Sequence, residues 1–424
     1  MSLPKSSIRL FFPLLIALLL PVLNACFAGD PDELKVFTGQ TGRIYAVAFS
    51  PADGAILASG GSSNAIHIWP ADVVPVPGVG HYGDFLDFRK LQYAPLIGHN
   101  ADVLTLAFMP DGKRLFSGDA DGIIRQWDVS EGEALRLWQA HRYRVRSLAV
   151  SPDGTHLASA GGASIYSELK LWNLNDTEPE AKDLNGHLGL VMGVAFSPDG
   201  KLLASAGEDG TVRLWNVSDG STKMILEVMD EPVTSVAFSP DGRKLAAGSF
   251  SRGEGGIIAL WRVADGKPLL LLPGQPLFEG SEPSLIISSV AFSPTNGLYI
   301  VGACEDNVIR MWSAVDGSEV REFVGHYKKV NGIAFSPDGV LVASVSDDET
   351  VRLWNASEFS GDNCADGKDN DGDGWKDDAD PDCLDGEVEK GYRNDLECNN
   401  GYDDDNDAYI DAEDSSCLFA TSME

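Results

Sequence analysis

Seven copies of one phrase constrain the fold of this chain more than any other feature of its sequence. The first copy reads YAVAFSPADG from Tyr45, and a later one reads VMGVAFSPDG. Each copy has a marker proline and ends its third apolar segment at a tryptophan. The prolines are Pro51, Pro110, Pro152, Pro198, Pro240, Pro294 and Pro337, and the tryptophans are Trp69, Trp127, Trp172, Trp215, Trp261, Trp312 and Trp354. A repeat of this length predicts stacked units that share a core, since one unit cannot bury its own apolar face.

Each copy has the chemistry of an antiparallel meander. Val, Ile and Leu alternate with small or polar residues, which is the period of a strand with two different faces. Pro-Asp-Gly follows the first strand, where proline presets one turn dihedral and glycine accepts a positive φ. A fourth strand follows each of the first six tryptophans, as in residues 319–323. The sequence therefore predicts an all-β chain of four-stranded units.

These copies resemble WD repeats over residues 33–357, and the resemblance implies a seven-bladed β-propeller. In that family a buried network of His, Ser or Thr, Asp and Trp links the strands of a blade. Three copies match it: His99, Ser117, Asp121 and Trp127; His187, Ser205, Asp209 and Trp215; His326, Ser344, Asp348 and Trp354. The others depart from it. Gln40 replaces the first histidine, His141 lacks an Asp partner, and the fifth and sixth copies have no Gly-His.

Closure of the ring is also predicted. The seventh copy stops after Trp354 without a fourth strand, and residues 33–39, ELKVFTG, resemble the fourth-strand phrase EVREFVG from Glu319. If the first strand completes the last blade, no strand edge is left open for aggregation.

The positions of the histidines within the repeats favour a binding function over a catalytic one. His99, His141, His187 and His326 occupy the structural position of the repeat, and no separate Ser/His/Asp arrangement is evident. We therefore predict no catalytic residues and an interaction scaffold. The alternative is an enzyme whose catalytic groups converge from distant loops over the central channel.

Partner binding is expected on the loops that join the fourth strand to the next blade and the second strand to the third. Enlarged loops at 161–167, 250–256 and 274–284 fall on that face, and an insert at 75–88 falls on the opposite one. Aromatic and arginine side chains are frequent at binding hot spots. The candidates are Tyr166, Phe250, Arg252 and Phe278, with the clusters Arg142, Tyr143, Arg144 and Tyr327, Lys328, Lys329. Ordinary solvated loop residues are the alternative for each one.

An acidic module begins near residue 361. Residues 361–424 contain 22 acidic and 4 basic side chains of a chain whose formal net charge is −32. Such a balance argues against nucleic acid as a partner, because phosphates are bound by clustered Lys and Arg. Within the module, two copies place oxygen ligands at positions 1, 3, 5, 7, 9 and 12 of a loop. They are Asp369, Asp371, Asp373, Trp375 (through its carbonyl), Asp377 and Asp380, then Asp403, Asp405, Asp407, Tyr409, Asp411 and Asp414.

That spacing follows the ligand order of an EF-hand loop and predicts calcium as the cofactor. Gly374 fills the turn position of the first copy, whereas Ala408 replaces it in the second. The copies resemble thrombospondin type 3 and dockerin loops of secreted proteins. Four cysteines bracket them, Cys364, Cys383, Cys398 and Cys417, and the duplication favours pairing within each copy among three possible pairings. A disordered acidic linker is the alternative.

The N-terminus predicts export. Lys5 and Arg9 precede a 14-residue apolar run at 10–23, too short to span a bilayer, which needs about 20 residues. Residues 1–25 therefore suggest a signal peptide of the bacterial lipoprotein type, with Cys26 lipidated. Ordinary cleavage after Ala28 is the alternative. The chain is expected to be a monomer, lipid-anchored in a bacterial cell envelope or secreted.

Overall fold

The computed structural model describes residues 33–52, 54–71, 94–163, 165–176, 180–227, 231–252, 256–273 and 284–356. The predictions for the signal segment, the insert at 75–88, most of the loop at 274–284 and the acidic module lie outside these residues. The described part is all-β, with 28 strands. Within it, no helix has the length and apolarity that crossing a membrane requires.

Seven four-stranded antiparallel units, or blades, follow one another along the chain, and the fifth and sixth are joined into one eight-stranded sheet. β1 (Glu33–Phe37) comes first. Blade 1 has β2 (Ile44–Phe49), β3 (Ile56–Gly61), β4 (Ala65–Pro70) and β5 (Leu96–Ile97); blade 2 has β6 (Val103–Phe108), β7 (Arg114–Asp119), β8 (Ile123–Asp128) and β9 (Glu133–Gln139); blade 3 has β10 (Val145–Val150), β11 (His156–Ala163), β12 (Tyr166–Asn173) and β13 (Ala181–Asp183). Blade 4 has β14 (Val191–Phe196), β15 (Leu202–Gly207), β16 (Thr211–Asn216) and β17 (Thr222–Glu227); blade 5 has β18 (Val233–Phe238), β19 (Lys244–Arg252), β20 (Ile257–Arg262) and β21 (Pro268–Pro273); blade 6 has β22 (Ser284–Phe292), β23 (Tyr299–Cys304), β24 (Val308–Ser313) and β25 (Glu319–Val324); blade 7 has β26 (Val330–Phe335), β27 (Leu341–Ser346) and β28 (Val351–Asn355).

Ser-Pro-Asp-Gly, or a close variant of it, forms the turn after each first strand. In blade 4 the Ser197 hydroxyl donates to Asp199 over 2.6 Å, and the same carboxylate accepts from the N–H of Lys201 over 3.1 Å. Gly200 has φ +69°, which glycine adopts at little cost. The hairpin is therefore stabilised both by the side-chain hydrogen bonds of the serine and aspartate and by the glycine at the position with positive φ.

The core lies between blades. Trp215 of blade 4 is 1% exposed and packs in one cluster with Leu171 and Ala160 of blade 3. Burying one large apolar side chain contributes about 1.5–3 kcal/mol, and every blade repeats this layer. Each first strand contacts the first strand of the next blade, and β26 contacts β2, so the ring is closed.

Closure uses both ends of the propeller, as the sequence predicted. β1 pairs with β28, with Glu33 opposite Trp354 and Phe37 opposite Val351. Arg352 forms an ion pair with Glu33. Blade 7 therefore takes three strands from the end of the propeller and one from its beginning.

Two of the predicted loops are partly strand, which corrects the sequence prediction. β11 continues to Ala163 and β12 begins at Tyr166, so the 161–167 segment is an extended hairpin. Phe250 and Arg252 prolong β19 and pair with Ile286 and Ser284 of β22 in the next blade. Backbone groups at these positions find hydrogen-bond partners in the ladder, which favours strand over loop.

Candidate interaction face around the channel mouth

The central channel opens into a depression of about 480 Å³ on the face that carries the connections between blades. We call this depression the channel mouth. All seven blades line it. Its charged and aromatic residues are Tyr45, Asp102, Arg144, Arg146, Glu208, Phe250 and Lys329, and its apolar ones include Leu104, Leu190, Met192 and Ile286. A concave apolar surface with a few polar groups is the usual form of a binding site.

One register position supplies a ring of seven side chains at the mouth, six residues before each marker proline. They are Tyr45, Leu104, Arg146, Met192, Thr234, Ser288 and Asn331. Sequence reasoning missed this ring, although aligning the seven copies would have found it. The residue just before this position is a buried Val or Ile in every copy, whereas the ring position itself holds seven different residues. The ring position therefore serves the channel rather than the core.

Ring side chains also link adjacent blades. Ser288 Oγ donates to the carbonyl of Val330 over 2.9 Å, and Asn331 Nδ2 donates to the carbonyl of Ile44 over 2.8 Å. Thr234 makes the same kind of bond to blade 6. Because backbone partners hold these side chains, this part of the mouth is organised before any ligand arrives, which lowers the entropic cost of binding.

Positive charge gathers on the blade 3 side. Arg144 and Arg146 make no ion pair with another described residue, and Arg146 Nε is buried without a hydrogen-bond partner. Burial lowers the pKa of Arg146 and the charge of Arg144 lowers it further, while Glu208 acts in the opposite direction. Glu208 itself accepts from the N–H of Leu190 over 3.2 Å. The positive charges of Arg144 and Arg146 are therefore only partly compensated by nearby carboxylates.

The other charged lining groups are differently placed. Lys329 Nζ lies 3.3 Å from Glu305, so its charge is already paired. Burial raises the pKa of Tyr45, and the nearby Asp102 carboxylate raises it further. Tyr45 therefore stays a neutral hydrogen-bonding phenol at neutral pH.

Outside the depression, Arg142, Tyr143 and Tyr166 form an aromatic stack. The tyrosine rings are 6.1 Å apart and inclined by 18°, and the Arg142 guanidinium lies 5.5 Å from the centre of the Tyr143 ring. Glu168 shapes the loop by accepting the N–H groups of Arg142 and Tyr143 over 3.0 and 3.3 Å. Tyr166 remains 54% exposed, as expected for a group available to a partner.

The second predicted cluster lies on blade 7. Tyr327 is 65% exposed, and its hydroxyl donates to the carbonyl of Asp348 over 3.0 Å. Lys328 Nζ lies 5.8 Å from the centre of its ring. The structure therefore brings Arg144, Lys329 and Phe250 to the mouth, whereas Arg142, Tyr143, Tyr166, Tyr327 and Lys328 do not line it. The Arg252 side chain and Phe278 lie outside the described residues, as do Cys26 and the predicted calcium ligands and disulfides.

The His-Ser-Asp-Trp networks stabilise individual blades. In blade 4, Trp215 Nε1 donates to Ser205 Oγ over 2.8 Å, and His187 hydrogen-bonds Ser205 through Nε2 over 2.7 Å and Asp209 through Nδ1 over 3.0 Å. Because the Asp209 carboxylate can only accept, His187 Nδ1 carries the proton, and in a neutral ring Nε2 then accepts the proton of the Ser205 hydroxyl. Burial lowers the pKa of His187, consistent with a neutral ring. Blade 7 repeats the arrangement with His326, Ser344, Asp348 and Trp354.

Blade 2 corrects the sequence prediction, since its acid is Asp119 and not Asp121. Asp119 Oδ2 lies 2.7 Å from His99 Nδ1, while its Oδ1 accepts the N–H groups of Asp121 and Ile123. Asp119 takes the register position of Gly207 in blade 4, where an added side chain would meet the histidine ring directly. Because its backbone lies closest to the histidine ring, Asp119 rather than Asp121 places its carboxylate next to His99 Nδ1.

Other blades modify the network. Gln40 takes the histidine slot of blade 1 and accepts from Ser59 over 2.7 Å. His141 does have an acidic neighbour, which the sequence did not suggest: Glu168 Oε2 lies 3.5 Å from its Nδ1, an ion-pair distance without hydrogen-bond geometry. In blades 5 and 6, Ala247 and Gly302 take the place of the serine.

Among the described residues, the opposite face differs from the mouth in how its charges are paired. Among residues in the described segments, no group of three or more His, Cys, Asp or Glu side chains could hold a metal ion. A depression of about 670 Å³ lies between blades 4 and 5, next to Pro198 and Asp241. Its Arg262 is already paired with Asp265 at 2.7 Å. Although this depression is larger, the channel mouth is the one of these two, among the described residues, that combines unpaired cations with an apolar wall.

Comparison with known proteins supports the repeat assignment. The family model described as WD domain, G-beta repeat matches residues 31–70, 90–128, 132–173, 179–216, 221–262, 274–313 and 317–355. The chain is similar to Nuclear distribution protein nudF of Aspergillus niger, with 29% identity over 61% of this chain and 60% of that protein. It is 26% identical to the Serine-threonine kinase receptor-associated protein of Homo sapiens, over 68% of this chain and 80% of that protein. It is 24% identical to the WD repeat-containing protein 26 homolog of Arabidopsis thaliana, over 77% of this chain and 51% of that protein. The chain thus spans less than two thirds of the length of two of these relatives.

Proposed function

Since the chain belongs to the WD domain, G-beta repeat family, we propose that it is an interaction scaffold that binds protein partners through the face around the channel mouth. The observation that carries the proposal is the convergence of residues from all seven blades on one depression. Exposed Tyr166 and Tyr327 extend the same face, and aromatic residues of this kind supply contact area at low entropic cost.

The similarity to a protein named for its association with a receptor supports the same function. The enzyme alternative has less support at the mouth. No histidine lines it among the described residues, and the Thr234 and Ser288 hydroxyls donate to backbone carbonyls of the next blade. A nucleophile needs a neighbouring base, and among the described residues these hydroxyls hydrogen-bond to backbone carbonyls instead.

Export and calcium binding complete the proposal and rest on the sequence. The apolar run at 10–23 followed by Cys26 supports a lipid anchor in a bacterial cell envelope or a secreted form. The duplicated loops at 369–380 and 403–414 support two calcium sites that stiffen a C-terminal module, each closed by its own disulfide.

Site-specific photo-crosslinking tests which face binds. A photoreactive amino acid would replace Tyr166 on the proposed face and, in the control, exposed Lys201 in a turn of the opposite face. We expect the Tyr166 probe, in cells that express the protein naturally, to give discrete crosslinked protein bands identifiable by mass spectrometry. Equal crosslinking from Lys201, or none from Tyr166 with more from Lys201, would contradict the proposed face.

A further inference from the structure

We propose that the channel mouth takes a carboxylate from an acidic, partly apolar peptide segment of a protein partner, with Arg144 and Arg146 as its ligands. The inference rests on the proposed function and adds the chemistry of the partner. It commits to a peptide because the mouth belongs to a face with exposed aromatic side chains on the neighbouring loops.

The arginine geometry carries the first step. Arg144 is exposed just before β10, and Arg146 follows two residues later at the ring position. Both side chains line the depression, so both guanidinium groups are available at the mouth. Arg146 Nε is buried and has no hydrogen-bond partner. A carboxylate could accept from both groups, and charge-assisted bonds of this kind are the strong ones.

The remaining charges select the kind of anion. Glu208 and Asp102 also line the mouth, and they would repel a doubly charged phosphate more than a singly charged carboxylate. Glu208 is held by the N–H of Leu190, and the Lys329 ammonium is paired with Glu305. The free positive charge is therefore confined to the blade 3 side and suits one carboxylate.

The apolar side chains of the mouth determine which residues flank the acidic residue in the bound peptide. Leu104 and Met192 flank Arg146 in the ring, and Phe250 and Ile286 lie across the mouth on blades 5 and 6. An acidic residue bound at Arg146 would place its chain neighbours against these side chains. The fitting segment therefore has Asp or Glu next to Leu, Ile, Met or Phe.

Selection from random peptides displayed on phage, against the whole purified chain, tests the inference. We expect the selected peptides to be enriched in Asp or Glu beside an apolar residue. Arg146→Met keeps the apolar stem and should weaken their binding at least about tenfold, as loss of a desolvated charge partner does. Exposed Arg144→Ser should weaken it too without a change in thermal stability. Lys201→Met on the opposite face is the matched control and should bind like the wild type.

The outcomes separate this inference from the proposed function. Peptides without acidic enrichment whose binding is lost on Tyr166→Ala would overturn the carboxylate site and leave the face intact. Acidic peptides that bind Arg146→Met and Arg144→Ser unchanged would also overturn it, as would failure to select any peptide. Crosslinking from Tyr166 decides the function of the face independently.

Discussion

The side-chain amide of Asn331 in the last blade donates a hydrogen bond to the backbone carbonyl of Ile44 in the first blade, over 2.8 Å. The same amide donates to Asp347 Oδ1 over 2.8 Å. The ring is thus closed twice, by β1 on β28 at its outer edge and by Asn331 at the channel.

Replacing Asn331 should therefore cost more than replacing an asparagine whose bond is local. We expect Asn331→Ala to lower the free energy of unfolding by about 1–3 kcal/mol, because two partly buried acceptors lose their donor. Urea denaturation measures the change. The control is Asn216→Ala, which loses a bond to Ser221 within one turn and should change stability by less than about 0.5 kcal/mol. Equal effects would show that Asn331 does not stabilise closure.

The acid of the blade 2 network can be tested by mutation. Asp119→Ala should destabilise the protein by about 2–3 kcal/mol, since it leaves His99 and two backbone N–H groups without their acceptor. Exposed Asp121→Ala should cost less than about 0.5 kcal/mol. Thermal or urea unfolding distinguishes them, and a reversed order would restore Asp121 as the network acid.

Acid should destabilise the propeller in two stages. Burial lowers the pKa of His67 to about 4, so the unfolded chain binds a proton that the folded chain resists. Stability is therefore full above the unfolded pKa of about 6.5 and falls as the pH drops toward 4, by up to about 3 kcal/mol. Denaturation at pH 7.5, 5.5 and 4.0 measures this. His67→Gln should reduce the slope, and an unchanged slope would contradict the assignment.

The second stage belongs to carboxylates. Burial raises the pKa of Glu168 and Asp348. At Glu168 the neighbouring His141 and the N–H groups of Arg142 and Tyr143 outweigh burial, and at Asp348 the hydrogen bond to His326 does, so each pKa is held at about 2. Their stabilising contribution is present above a pH of about 4.5 and is lost as the pH falls toward 2. Asp348→Asn should remove part of this loss.

The calcium proposal predicts two weak sites. Titration calorimetry of the whole chain should give dissociation constants on the order of 10⁻⁴–10⁻³ M, as in extracellular modules. Replacing Asp369 and Asp373 together with Ala should leave one site. Replacing Asp362 and Asp366 together with Ala, outside the ligand positions, is the charge-matched control and should leave both sites. Absence of calcium-dependent heat in the wild type would leave only an acidic linker.

The proposed lipid anchor predicts that a variant without Cys26 leaves the membrane fraction. Cys26→Ser should move the protein from the membrane to the soluble fraction in its native host, because stable anchoring needs more than one acyl chain and these would be lost together. Intact-mass measurement of the wild type provides the check. An unmodified N-terminus at Gly29 would exclude lipidation.

The fold could be predicted because its determinants are local and repeated. The turn phrase around Pro198 and the buried position of Trp215 recur in every copy, and the strand period fixes which face they occupy. Closure could be predicted since residues 33–39 resemble a fourth strand that blade 7 lacks. By contrast, Asp119 and Asp121 are both acidic and two residues apart, and only the reach of each side chain to His99 decides between them.

The channel mouth could be predicted only in part. Arg144 and Lys329 could be identified from the sequence because each lies in a cluster of basic and aromatic residues. However, 185 residues separate them, and the sequence around either one does not show that both line one depression. Arg146 and Glu208 were missed because each lies in an ordinary strand end. Their significance depends on the pairing of charges across blades, which only the closed ring determines.

The pairing of β1 with β28 has a mechanical consequence. Glu33 lies opposite Trp354, so both ends of the propeller leave the same end of one antiparallel ladder. Force applied between residues 33 and 356 would unzip this ladder one pair at a time, with each hydrogen bond resisting by only about 1 kcal/mol. Under this force blade 7 would open first, starting at the Arg352–Glu33 ion pair. The other six blades would keep all their strands.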